Sequence, residues 1–377
     1  MVYCEVGTLG EGDNIMKDIL LAALMAIFLL YHVYRIITAK ACPLPYQDIP
    51  DLPESLPTVS FLVPSWNDKR HLEPFIRSFN ALSYPHKELI LCVGGSDGSF
   101  EYAQQFSSPA ITVLKQDPGE GKQRALRKSY PLSHGEIIYL TDIDCRLTDN
   151  VVYHMVNAVL NNDCAVTGPS DPLHNQRRNP LIQVQWAVDR VTEPSTCTTT
   201  GGILGRNAVV PKTLLDAVGA FDQDVPSGTD YFLAKKLLGH NDPILFVPYA
   251  RITSEYPETL GLYIRKQSRW IRNVLVLGMK FHEKQEVSSS LMTMAIPVVT
   301  VLSMIAALIT IVFNSHWSLA VTFVVVVLIL HPLLARLRYL CLSGVPVTLR
   351  GVWWHFLGTS IASLRATGQI MRKSWVW

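Results

Sequence analysis

Two carboxylates one residue apart follow directly on an apolar run: Ile137–Thr141 leads into Asp142-Ile143-Asp144. In an extended chain the side chains at i and i+2 share a face. Paired hard oxygen ligands on one face suit Mg²⁺ or Mn²⁺. A cation held there can bridge the two phosphates of a nucleotide diphosphate and neutralise it as a leaving group. A solvated turn would carry the same pair, but the end of a buried strand is where open α/β sheets bind ligands. A third carboxylate, Asp230, follows Gly228-Thr229 and precedes the apolar residues Phe232, Leu233 and Leu237. So placed it can take the proton of an attacking hydroxyl, or cap a helix over 231–238 in competition with Ser227 or Thr229. Arg265, Arg269 and Arg272 surround Trp270. They offer cations to phosphate oxygens and an indole face to a sugar, or a basic helix for anionic headgroups. Lys122 follows Gly119-Glu120-Gly121 at a helix start, where an anion is favoured.

These residues need a frame. Short apolar runs at 58–63, 89–93, 111–114 and 137–141 alternate with helical spacing at 72–82, 100–106 and 122–130. Strands that are apolar throughout, alternating with helices, predict a parallel sheet covered on both faces. The carboxyl ends of its strands are 64–68, 94–99 and 142–144.

The ordered motifs resemble the membrane-associated family 2 glycosyltransferases, inverting enzymes with a GT-A (Rossmann-like) nucleotide-sugar domain. Val59-Ser60-Phe61-Leu62-Val63-Pro64 with Asn67 is similar to the opening strand of that family, and Gly121-Lys122 to its G-K segment. Asp142-Ile143-Asp144 resembles the D-x-D, Gly228-Thr229-Asp230 the T-E-D motif, and Lys266-Gln267-Ser268-Arg269-Trp270 the Q-x-x-R-W motif. The resemblance implies that Pro64, Asn67, Asp97, Lys122, Asp142 and Asp144 bind the nucleotide sugar, with Asp144 the main metal ligand and Asp142 beside it. It implies that Asp230 is the base and that Gln267, Arg269 and Trp270 close over the diphosphate or the acceptor. The chain departs from the pattern at three points. Cys92-Val93-Gly94-Gly95-Ser96-Asp97 leaves Asp97 as the one acid after the second strand, Thr229 precedes the base where an acid is usual, and Lys266 stands where the first Gln is expected.

The remaining chain reads as membrane. Of the 377 residues 49% are hydrophobic and only 17% charged. Residues 19–34 carry no charge, and 287–334 carry no Asp, Glu, Lys or Arg. The first roughly spans if it continues past Arg35 through Ile36 and Ile37 with Arg35 snorkelling, and the second reads as a hairpin turning at Asn314-Ser315-His316 with Pro297 kinking its first helix. Ala39-Lys40-Ala41 resembles a signal cleavage site, but the acidic leader (Glu5, Glu11, Asp13) and the length of the apolar run favour an uncleaved anchor. Arg35 and Lys40 after the first span, and Arg336 and Arg338 after the last, put the middle and the tail in the cytoplasm. No acid follows Glu286, while Arg350, Arg365, Arg372 and Lys373 remain, which predicts a surface facing anionic lipid. Within that tail 351–364 is short and Trp-rich, as an interfacial helix is. The seven scattered cysteines lack a CxxC pair and the eleven histidines lack a metal spacing. Nucleic acid is not expected as a partner.

The organisation expected is an anchor at 1–41, a Pro-rich linker at 42–57, a GT-A domain at 58–273, a connection at 274–286, a transmembrane hairpin at 287–335 and a basic tail at 336–377. The reaction expected is transfer of one sugar from a nucleotide diphosphate to a lipid or membrane-embedded acceptor with Mg²⁺ or Mn²⁺. A processive polysaccharide synthase and a degenerate nucleotide-sugar-binding protein are the alternatives.

Overall fold

A computed structural model describes residues 9–50, 55–313, 317–346 and 348–372, with residues 9–15 as backbone. The turn expected at Asn314-Ser315-His316 lies outside the described residues, as do Glu5, Pro53 and Lys373 and the side chains of Glu11 and Asp13. Helix α1 (Leu9–Ile37) precedes an α/β domain. That domain runs β1 (Val59–Trp66), α2 (Lys69–Asn80), β2 (Lys87–Gly94), α3 (Ser99–Gln104), β3 (Ile111–Lys115), α4 (Gly121–Ser129) and β4 (Ile137–Thr141). It continues through β5 (Cys145–Arg146), α5 (Asp149–Asn162), β6 (Ala165–Thr167), β7 (Ser170–Pro172), α6 (Pro180–Thr192) and β8 (Thr198–Thr199). Next come β9 (Asn207–Pro211), α7 (Lys212–Ala217), α8 (Thr229–Gly239), β10 (Ile244–Phe246) and β11 (Ile252–Ser254). Four helices follow: α9 (Leu260–Lys280), α10 (Lys284–Val312), α11 (Ser318–Ser343) and α12 (Leu349–Met371).

Eight strands form one sheet in the order β3-β2-β1-β4-β9-β6-β10-β8, and β5, β11 and β7 form a second. Alternate residues of each central strand enter opposite cores. Phe61, Val63 and Tyr139 pack with α2 and α5, while Leu62, Ile138 and Leu140 pack with α4, α7 and α8. That is the double cover expected of apolar strands. The sheet is mixed, however, and not wholly parallel. Strands β3, β2, β1 and β4 are parallel, but β9 lies antiparallel between β4 and β6. An apolar run of five residues reads the same in either direction, so strand sense was not legible there. Its consequence is local: Asn207 pairs with Thr141, which brings the residues just before β9 to the carboxyl end of β4.

Three helices are long and apolar enough to cross a membrane: Met16–Ile37, Lys284–Val312 and Ser318–Ser343. Helix α11 ends at Gly344, whose φ of 68° is cheap only for glycine. Helix α12 is longer than the 351–364 run and packs against α9 and α6 as well as α10 and α11. Gly351 allows the closest approach: a Cβ there would lie 2.1 Å from the Pro180 carbonyl oxygen. Tyr263 of α9, His355 and Thr359 of α12 and Arg336 of α11 share hydrogen bonds of 2.8–3.4 Å. Helix α9 and the helices α11 and α12 therefore meet through a packed polar seam.

Candidate active site

Strand β4 is buried to its last residue and then releases Asp142 and Asp144 into the gap between the two sheets. Lys122, near the start of α4, donates to Asp142 Oδ1 at 2.9 Å and to the Gly205 carbonyl at 3.3 Å, and pairs with Asp230 Oδ1 at 3.1 Å. Burial disfavours its charge, but Asp142 and then Asp230 outweigh that and raise its pKa above the ordinary lysine value. Residues 20, 83 and 108 positions from Lys122 in sequence thus converge on its one ammonium. Asp230 sits in the first turn of α8 after Gly228, whose φ is 81°. Gly205 makes its approach feasible, because a Cβ at 205 would lie 2.0 Å from the Asp230 Cγ.

These groups open on a cavity of about 810 Å³. Its walls include Asp142, Asp144, Arg206, Asp230 and, from α9, Lys266, Arg269, Trp270 and Asn273. Offsets of three, four and seven residues put that α9 set on one helix face. Gln267, on another face, is not among the lining residues. Arg265 is exposed and Arg272 is buried away from the cavity, so of the three arginines Arg269 alone lines it. Glu193, Gly201-Gly202 and, from the first turns of α10, Glu286 and Ser290 also line it.

The strand-end loops flank the D-x-D. Asn67, with φ of 55°, accepts from the Ser96 backbone at 2.7 Å and so ties the β1 and β2 loops together. Pro64 lies within β1, paired with Cys92. Asp97 accepts from the Lys69 and Ser99 backbones at 3.1 Å and the Ser99 hydroxyl at 2.6 Å. Its two oxygens thus cap the starts of α2 and α3. None of Pro64, Asn67 and Asp97 lines the cavity. Lys122, Asp142, Asp144, Asp230, Arg269 and Trp270 do. Sequence reasoning did not single out Gly205, Arg206, Glu193 or Asp68. Asp68 is raised to about 6 by burial and then by the Asp144 charge, which puts the β1 loop in electrostatic reach of the D-x-D. Lys266 was noted only as a replaced Gln; its spacing of one turn before Arg269 was the available sign.

Burial and then Asp142 raise the Asp144 pKa, against Lys266, Arg206 and His71. Two crowded carboxylates that resist carrying charge together gain from a cation. Among the described residues no cluster of three or more His, Cys, Asp or Glu is poised to hold a metal. One or two carboxylates, with phosphate oxygens and water completing the shell, is the donor set that Mg²⁺ or Mn²⁺ accepts. The residues fit such an ion.

Residues 57–273, more than half of the chain, match the family model described as glycosyltransferase like family 2. The chain belongs to this family. As a family 2 glycosyltransferase it is 24% identical over 290 residues to a probable glycosyltransferase, YdaM, of Bacillus subtilis, covering 69% of this chain and 66% of that protein. It is 25% identical over 224 residues to the poly-beta-1,6-N-acetyl-D-glucosamine synthase of Staphylococcus epidermidis, covering 56% and 53%. Over 169 residues it is 24% identical to the beta-monoglucosyldiacylglycerol synthase of Trichormus variabilis, covering 43% and 32%. In each case the match spans less than two thirds of the relative's own length. A solved mannosyltransferase from Pyrobaculum calidifontis, in complex with GDP-Man and Mn²⁺, superposes with a TM-score of 0.59 at 17% identity, covering 95% of this chain and 98% of that one. The family 2 domain therefore has a GT-A-like fold, as the motif order implied.

Proposed function

We propose that this chain transfers one sugar from a nucleotide diphosphate, with UDP the expected carrier, to a lipid or membrane-embedded hydroxyl at the cytoplasmic face. The observation that carries the reading is the placement of Asp142, Asp144 and Asp230 on one cavity that continues to the first turns of α10. Helix α10 has 29 residues, about 44 Å at 1.5 Å per residue. That exceeds a hydrocarbon core of about 30 Å, so its first turns fit the headgroup level where a lipid hydroxyl lies.

Asp142 and Asp144 would hold a divalent cation, which when bound would supply positive charge to the leaving diphosphate. Lys122, Lys266 and Arg269 offer further positive charge to its oxygens. Asp230 takes the acceptor proton as the hydroxyl attacks the anomeric carbon from the face opposite the diphosphate. One displacement inverts that carbon, with no covalent sugar–enzyme intermediate. Gly205 and Lys122 hold the base near the D-x-D, and α9 screens the diphosphate from water.

The test is full-length protein in detergent with labelled nucleotide sugars and a total lipid extract. A single labelled sugar recovered in organic solvent, with one nucleotide released per transfer, is the expected product. Label found only as free sugar across the panel contradicts the reading. Processive synthesis is the second reading, supported by the 25% identity to the Staphylococcus synthase. A long polymer would be its product.

A further inference from the structure

We propose that the acceptor is an uncharged headgroup with several hydroxyls, one meeting Asp230 and another Glu193, and that a lipid phosphate is excluded. The inference rests on the sugar-transfer reading and narrows its acceptor.

Glu193 closes the end of α6 and lines the cavity. Arg251 donates through Nη1 and Nη2 to the same carboxylate oxygen, Oε2, at 3.1 Å each. The other oxygen, Oε1, has no hydrogen-bond partner among the described residues. The carboxylate is therefore fixed in place with half of its accepting capacity unused, which is the form a hydroxyl recognises. Arg251 does not line the cavity; it is also bound to Asp171 at 2.9 Å behind the wall. Burial raises the Glu193 pKa to about 7, so near neutrality the group can accept from a hydroxyl or donate to one.

The rest of this wall has the same character. The Ser227 hydroxyl is buried without a partner and lines the cavity beside Gly228. Glu286 spends one oxygen on Tyr231 and the other on Lys235, at 2.5 Å from the ammonium, and Lys235 also pairs with Glu283 at 3.0 Å. That cation is thereby spent. Of the other lining cations, Lys122 is bound to Asp142, Lys266 and Arg206 lie in the fields of Asp144 and Asp189, and Arg269 stands one turn beyond Lys266. A phosphate brought against Glu193 would meet a fixed carboxylate whose own cation, Arg251, is committed to it and to Asp171. A polyol would meet hydrogen-bonding partners. The polyol can be a glycolipid headgroup or the end of a free glycan.

The test gives the full chain, in nanodiscs, labelled nucleotide sugar with diacylglycerol, monoglycosyl-diacylglycerol, polyprenyl phosphate or a soluble oligosaccharide. The glycosylated diacylglycerol or the oligosaccharide should exceed diacylglycerol at least tenfold in kcat/KM, with polyprenyl phosphate inert; which of the two is used names the source. Glu193→Gln should raise the KM for that polyol about tenfold with a smaller effect on kcat and erase its preference over diacylglycerol. Glu193→Asp should restore part of it, whereas a merely structural role would lower kcat for every acceptor alike. Transfer to polyprenyl phosphate, or a preference that survives Glu193→Gln, overturns this inference and leaves the transfer reading standing. Nucleotide-sugar binding with no acceptor glycosylated overturns both. If Glu193→Gln does not fold, the acceptor panel on the unaltered chain still decides.

Discussion

The Lys122 ammonium lies 3.1 Å from Oδ1 of Asp230. It also lies 2.9 Å from Oδ1 of Asp142, so one cation joins the acid at the end of β4 to the acid on α8. This pairing lets Asp142 and Asp230 share a cavity without forcing each other apart. It also makes Lys122 the residue through which the two ends of the site are kept in register.

Replacing Lys122 by Met removes that tie and leaves the two acids facing each other with no cation between them. Because the ammonium is only a quarter exposed, solvent does not replace it well. Transfer should fall by about a hundredfold or more, with Lys122→Arg recovering part, since a misplaced catalytic group costs on that scale. Steady-state kinetics of both variants check it; activity near the parent level in Lys122→Met contradicts it.

Gly205→Ala tests the position of the base without touching the base. The new Cβ would lie 2.0 Å from the Asp230 Cγ, so the carboxylate must shift. A displacement of about 1 Å predicts a loss of about a hundredfold in kcat. Nucleotide affinity, read by titration, should change much less, because Asp142 and Asp144 stay where β4 puts them.

The pH profile should carry the mark of Lys266. Burial and then Arg206 lower its pKa to about 8, against the pull of Asp144 and Asp142. A lysine with a lowered pKa keeps its charge below that value and loses it as pH rises through about 8. Donor kcat/KM, which reports the free enzyme, should therefore fall on an alkaline limb near pH 8. Lys266→Arg retains its charge and should move that limb upward. An unshifted limb would assign it to another group.

Stability of the joint between α12 and the α/β domain depends on Gly351. Any larger residue must displace the Pro180 carbonyl, 2.1 Å from the built Cβ. Gly351→Val should cost about 1–3 kcal/mol, the usual range for overpacking. Thermal unfolding in one detergent, followed for both proteins, measures it.

Much of this arrangement was readable before the fold was seen. Strands β1 to β4 are apolar on both faces, and that pattern locates the D-x-D at a strand end whatever the family. Asp230 and Lys122 were readable as chemistry, but their distance of 3.1 Å was not, because it depends on β9 running antiparallel to β4. The same strand sense brings Gly205 and Arg206 into the site, and neither residue type announces itself in sequence. On α9 the motif points to Gln267, Arg269 and Trp270; Lys266, Arg269 and Trp270 line the cavity, while Gln267 does not. Asp97, which the resemblance places at the nucleotide sugar, accepts hydrogen bonds from the starts of α2 and α3, contacts that no residue type announces.

On the proposed reading Asp142 and Asp144 hold a divalent cation against the diphosphate of the donor. Nucleotide release, followed across a Mg²⁺ and Mn²⁺ titration for the parent protein and Asp144→Asn, addresses it most directly. The account predicts saturable metal dependence in the parent and loss of both release and metal response in the variant, with the folded state retained. Release that persists in Asp144→Asn with the same metal response would contradict it.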